Sequence, residues 1–145
     1  MRIRECMTKN VAIASPSDTI CEAALKMADC DAGVLPVGED DRLVGMITDR
    51  DIAIRAVAKR LGPDTPIREV MSKEVLYCFE DEDVRAVAEN MGDQQVRRLP
   101  VLSRDKRLVG IVSLGDVAQK AVEEIAGHAI ASISRRGGRH DQALH

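Results

Sequence analysis

Aromatic side chains are nearly missing from this chain: 145 residues contain one tyrosine (Tyr77), one phenylalanine (Phe79) and no tryptophan. Proteins that hold single-stranded nucleic acid usually stack bases on aromatic platforms, so the composition argues against that role. A formal net charge of −3 also removes the basic surface that a general polyanion binder needs. No apolar run approaches the roughly 20 residues of a bilayer span. The opening Met1-Arg2-Ile3-Arg4-Glu5-Cys6 has no apolar stretch of signal-peptide type. A soluble, cytoplasmic protein without membrane contact is expected.

The groups that usually carry catalysis or metal binding are also scarce. The three histidines (His128, His140, His145) all fall near the C-terminal end, and the four cysteines (Cys6, Cys21, Cys30, Cys78) form no Cys-x-x-Cys pair. That arrangement argues against structural zinc. Neither a Gly-x-Ser-x-Gly elbow nor a Walker-type phosphate loop occurs, so nothing here points to an enzyme. What is present is a 45 % hydrophobic content drawn from Val, Ile, Leu, Ala and Met, enough for a packed core. Met27 and Met91 read as core filler.

That content is organised as an internal repeat. Ile3-Arg4-Glu5-Cys6-Met7-Thr8-Lys9 recurs as Ile67-Arg68-Glu69-Val70-Met71-Ser72-Lys73, an offset of 64. Leu35-Pro36-Val37 returns at the same offset as Leu99-Pro100-Val101. After one inserted residue, Arg42-Leu43-Val44-Gly45 returns as Arg107-Leu108-Val109-Gly110, and Thr48 and Asp51 return as Ser113 and Asp116. Each repeat predicts a short strand (near Val11–Ala14 and Val75–Cys78) and then an amphipathic helix. The first helix is capped by Ser17 or Asp18 and lined by Ile20, Ala23, Ala24 and Met27; the second is lined by Val84, Val87, Ala88 and Met91. A hairpin follows, turning at Glu39-Asp40-Asp41 and at Arg104-Asp105, and a second helix starts at Thr48 or Ser113. Gly62-Pro63-Asp64 and Pro66 punctuate the chain between repeats.

The expected fold is α/β (α+β): two β-α-β-β-α repeats, since one alone is too small to cover both faces of its sheet. They are expected to pack sheet to sheet about a pseudo-twofold axis and to leave two clefts. Residues 1–61 form the first repeat, 62–66 the linker, 67–126 the second repeat, and 127–145 a helix end and mobile tail. The last helix is expected to continue through Val122, Ile125 and Ile130. The basic, glycine-containing segment 134–140 reads as the tail, with contact to nucleic acid or an acidic partner surface as the other reading.

Over roughly residues 1–120 the chain resembles the tandem cystathionine-beta-synthase (CBS) domain pair. The signature is a hydrophobic-Pro-Val strand followed by Gly-hydrophobic-x-hydrophobic-Thr/Ser-x-x-Asp. It stands twice, as Val34-Leu35-Pro36-Val37 with Gly45-Met46-Ile47-Thr48-Asp49-Arg50-Asp51, and as Arg98-Leu99-Pro100-Val101 with Gly110-Ile111-Val112-Ser113-Leu114-Gly115-Asp116. The stretches Thr48–Ile52 and Gln95–Arg98 look like stand-alone bacterial members of the hypoxic-response type. The resemblance implies binding of adenosine-containing ligands (AMP, ADP, ATP, or S-adenosylmethionine or NAD) in the two clefts, with no obligatory cofactor. On that basis Asp116 takes the ribose hydroxyls, Ser113 lies near ribose and phosphate, and Arg97 and Arg98 hold phosphate. Ala12, Ala32, Gly33 and Val34 form the adenine slot. The mate site uses Thr48 and Asp51, with Leu76, Val96 and the backbone near Arg97 as its slot; Ile111 and Met46 are further expected ligand-binding residues.

The residue types suit these roles. A carboxylate accepts two hydrogen bonds from a ribose diol, and glycine lets backbone approach a flat base. Guanidinium groups supply cations for phosphate in an otherwise acidic protein. Thr/Ser-x-x-Asp is equally a helix-capping pattern, and capping and binding can coexist. Gly33 and Val34 stand where the second repeat has Arg97 and Arg98, so the Ser113/Asp116 cleft is expected to be the better phosphate site. Arg50 is a compensating cation for the other cleft or an ion-pair partner of Asp49 or Asp51. Two functions fit: a non-catalytic sensor acting in trans on a protein partner, as a homodimer, or an oligomeric docking scaffold with vestigial clefts.

Overall fold

The computed structural model describes residues 1–120 and 129–133. The readings placed on Val122, Ile125, the three histidines and segment 134–140 lie outside the described residues. The described chain divides into two compact units, and each draws on both sequence repeats. The first unit is Ala12–Val75 with Lys106–Leu108; the second is Met1–Val11, Leu76–Asp105 and the described residues from Val109 onward.

In the first unit, helix α1 (Ile20–Cys30) is followed by strands β1 (Val34–Glu39) and β2 (Arg42–Thr48). Ile20, Ala23 and Met27 recur at helical spacing and are buried, whereas Ala24, expected beside them, is exposed. The cap is Thr19 instead of Ser17 or Asp18. The Asp18 carboxylate accepts the Ser15 N–H (2.9 Å), which leaves Thr19 Oγ1 to accept from Glu22 N–H (3.1 Å). The strands pair antiparallel from Val34↔Thr48 to Glu39↔Arg42, with a register shift at Val37/Gly38. Asp40 and Asp41 join them, both in the left-handed region (φ 54° and 63°), the turn geometry that matches strand twist.

The strand expected at Val11–Ala14 shrinks to one bridging residue. Ala14 N–H reaches Pro36 O (3.0 Å) and Ala14 O accepts from Gly38 N–H (2.8 Å). Pro16 follows two residues on and cannot donate to extend the ladder. The second helix also departs from a plain α-helix. It starts as α2 (Asp49–Asp51), widens into a π turn over Ile52–Ala56, and tightens to a 3-10 turn at Val57–Lys59.

The second unit repeats the plan with a fuller sheet. β3 (Cys78–Phe79) pairs parallel with β4 (Arg98–Leu102), which neighbours β5 (Leu108–Ser113). Strand β3 starts where the expected one ends, at Cys78. Helix α3 (Val84–Gln94) is capped by Asp83 and buries Val84, Val87, Ala88 and Met91, the four residues read from its spacing. Helix α4 (Leu114–Lys120) follows β5. Residues 129–133 are helical and return to α3, where Gly92 provides the space: a Cβ there would lie 3.1 Å from Ala129 Cα and 3.2 Å from Ser132 Cβ. Both aromatic residues meet edge to face here, with ring centroids 5.6 Å apart. The Arg104 guanidinium lies 4.2 Å over Phe79 and donates to both oxygens of Asp81 (2.9 Å each), holding that carboxyl below its usual range.

The leading segment of each repeat docks on the body of the other repeat, and the two dockings match bond for bond. In the second unit Ile3 N–H donates to Glu82 O, Arg4 N–H to Glu80 O, and Val84 N–H to Met1 O. In the first unit Ile67 N–H donates to Asp18 O, Arg68 N–H to Pro16 O, and Ile20 N–H to Thr65 O. Thr8 pairs with Ile111 as Ser72 pairs with Met46. Ile3, Cys6 and Met7 complete one core, while Ile67 and Val70 complete the other. The glycine of each repeat signature is now explained. A Cβ at Gly110 would lie 2.7 Å from Thr8 O and 2.9 Å from Met7 Sδ; at Gly45, 2.7 Å from Ser72 O and 2.8 Å from Met71 Sδ.

Candidate ligand-binding site

Each hydroxyl-x-x-Asp motif folds into a reciprocal box at a strand-to-helix junction. In the second unit Ser113 N–H donates to Asp116 Oδ2 (2.9 Å) and Asp116 N–H to Ser113 Oγ (3.0 Å). In the first, Thr48 N–H donates to Asp51 Oδ2 (3.0 Å) and Asp51 N–H to Thr48 Oγ1 (3.0 Å). The box orients both carboxylates and uses one oxygen of each. Among the described residues nothing donates to the remaining Oδ1 of Asp116 or Asp51, so capping leaves an acceptor free.

The backbone beside each box is also duplicated, but the side chains are not. Leu114 N–H donates to Arg97 O (3.1 Å), as Asp49 N–H does to Gly33 O (2.9 Å). Position 33 has no side chain, and the Asp49 carboxylate fills that space: a Cβ on Gly33 would fall 2.7 Å from Asp49 Oδ2. The first unit therefore presents Asp49 and Asp51 together, with no ion pair from Arg50 to either among the described residues. The second unit replaces Asp49 with Leu114 and Gly33 with Arg97, and adds Arg98. Both arginines are exposed and neither has an ion-pair partner among the described residues.

These residues line a concavity of about 390 Å³ within the second unit, formed by Arg97, Arg98, Ser113, Leu114, Gly115, Ile130 and Ile133. That is the size range of small-molecule sites, about 300–1,000 Å³. Sequence reasoning found Arg97, Arg98 and Ser113 there, with Asp116 bonded to Ser113. It missed Leu114 and Gly115, the middle of the motif, and Ile130 and Ile133, whose i,i+3 apolar spacing was the available signal. Ile111 is buried on β5 and Val96 packs against the core of the same unit. Leu76 is exposed. Ala12, Ala32, Gly33, Val34, Met46, Thr48 and Asp51 belong to the first unit, where Ala12 packs against its core.

Two alike halves, each a hairpin leading into a helix through a hydroxyl-x-x-Asp box, define a paired-repeat module. The chain belongs to the CBS domain family, whose model matches residues 3–57 and 67–123. It is similar to the CBS domain-containing protein YhcV of Bacillus subtilis, 41 % identical over 135 residues that span 92 % of this chain and 96 % of that one. It is also similar to Hypoxic response protein 1 of Mycobacterium tuberculosis, 38 % identical over 90 % of this chain and 89 % of that one. A solved structure of Hypoxic Response Protein I, with two coordinated zinc ions, matches with a TM-score of 0.76 at 37 % identity, covering 84 % of this chain and all of that one. The CBS domain pair of protein MJ0100, solved with 5′-methylthioadenosine and S-adenosyl-L-methionine, matches with a TM-score of 0.71 at 31 % identity, over 82 % and 94 % of the two chains.

CBS domain pairs are in general regulatory, non-catalytic modules. Among the described residues no group of three or more His, Cys, Asp or Glu side chains could hold a metal ion. No helix among them is long and apolar enough to cross a membrane.

Proposed function

We propose that the chain is a non-catalytic sensor of adenosine-containing metabolites, acting in trans on a protein partner and working as a homodimer. The observation that carries this reading is that Arg97 and Arg98, without an ion-pair partner among the described residues, line one concavity with Ser113, which is boxed to Asp116. Asp116 Oδ1 accepts the ribose diol, and the arginines hold the 5′ anion. In the first unit Thr48 and Asp51 repeat the ribose part, but Asp49 repels phosphate there. The adenosyl ligands in MJ0100 support the same ligand class.

Affinity is expected to be modest. One or two charge-assisted hydrogen bonds contribute about 1.5–3 kcal/mol each, and on the order of 100–150 Å² of buried adenine adds roughly 3 kcal/mol. Micromolar to millimolar dissociation constants follow, on a scale where about −8 kcal/mol is micromolar. The competing reading, a docking scaffold with vestigial clefts, draws on the exposed Ile54 and Val57 along the widened second helix of the first repeat. Calorimetric titration with AMP, ATP, S-adenosylmethionine and NAD separates the two. A sensor binds at least one of them and loses affinity on Asp116→Ala; a chain that binds none is the scaffold.

A further inference from the structure

Two kinds of side chain line the concavity: the cations Arg97 and Arg98, and the apolar Leu114, Ile130 and Ile133, the last two from the C-terminal helical segment. The segment is held in place by its opposite face: Ala129 is fully buried against Gly92, Ser132 is buried beside it, and Gln95 Nε2 donates to Ser132 O (3.2 Å). Ile133 packs against the core, while Ile130 keeps 49 % of its surface exposed at the cradle. Ile130 and Ile133 thus give the lining an apolar part held from behind, and Arg97 and Arg98 are its only cations among the described residues.

We propose that Ile130 and Ile133 determine specificity at this site by restricting it to ligands with a single 5′ anionic group, a nucleoside monophosphate over a triphosphate. This rests on the adenosine reading above and adds what charge alone does not supply. One phosphate is satisfied by the arginine pair. A second and third meet a described lining that, beyond Arg97, Arg98 and Ser113, has no polar side chain, so they lose water there and gain no side-chain donor. The cost falls on the longer ligand only.

The test is calorimetric titration of the full chain with AMP, ADP and ATP, for wild type, Ile130→Ser and Ile130→Lys. Ile130 is half exposed, so both variants are expected to fold, with circular dichroism as the check. Wild type is expected to bind AMP about tenfold more tightly than ATP. Ile130→Ser narrows that ratio through a gain in ATP affinity, and Ile130→Lys narrows it further. Equal wild-type affinity for AMP and ATP, or an unchanged ratio in both variants, overturns the selectivity and leaves the adenosine reading standing. Absence of binding by all three nucleotides overturns both.

Discussion

Three glycines that look alike in the sequence differ in what surrounds them. At Gly45 and Gly110 an added Cβ meets a backbone carbonyl oxygen of a docked leading segment at 2.7 Å, which cannot move without breaking a strand bridge. Gly110→Ala is expected to destabilise the fold by about 1–3 kcal/mol, read as a lower denaturant midpoint at unchanged slope. At Gly33 the obstacle is an exposed Asp49 carboxylate, the far end of a flexible side chain. Gly33→Ala is expected to cost less than about 1 kcal/mol in the same assay. The cysteines divide in a similar way. Cys21 and Cys30 are exposed, while Cys6 and Cys78 are buried. Burial, with smaller contributions from Glu82 and Cys6, pushes the Cys78 thiol from 9.0 to about 12. Between those values the unfolded chain loses a proton that the folded chain keeps, so the contribution of this group to stability declines as pH rises from about 9 to 12. Wild type is expected to lose more stability than Cys78→Ala across that window, measured by urea unfolding at each pH. Equal losses would mean that Cys78 is not shielded.

At the scale of elements, helix α1 depends on a cap that its neighbours obscure in the sequence. Ser17, Asp18 and Thr19 are all capping residues, and only the turn at Ser15, which engages Asp18, decides in favour of Thr19. Thr19→Ala is expected to cost about 1 kcal/mol and Ser17→Ala almost nothing, compared by thermal unfolding. The repeat, both hairpins, both hydroxyl-x-x-Asp boxes and the buried face of α3 were legible because each depends on local spacing. The docking of Ile3–Met7 onto the second repeat was not. Two similar copies of the segment are available to either body, and no periodicity encodes which one docks where. The lone bridge at Ala14 and the π turn at Ile52–Ala56 were hidden for a related reason: pairing and packing override the apolar pattern at both places. Ile130 and Ile133 lie past the repeat, so no duplicate position drew attention to them.

For the whole molecule, duplication built two boxes of one geometry, and substitution then gave them opposite electrostatics. The second unit holds Arg97, Arg98 and Leu114 where the first holds Gly33, Val34 and Asp49. A carboxylate thus stands in one cradle near the place where the other has a cation. A single preferred site for a 5′-phosphorylated adenosine ligand is expected even though both Asp51 and Asp116 are present. The most direct test is an AMP titration followed by calorimetry for wild type, Asp116→Ala and Asp51→Ala. One dominant site that is lost in Asp116→Ala and kept in Asp51→Ala is the predicted result. Two equal sites, or a dominant site that disappears with Asp51 and survives without Asp116, would contradict it.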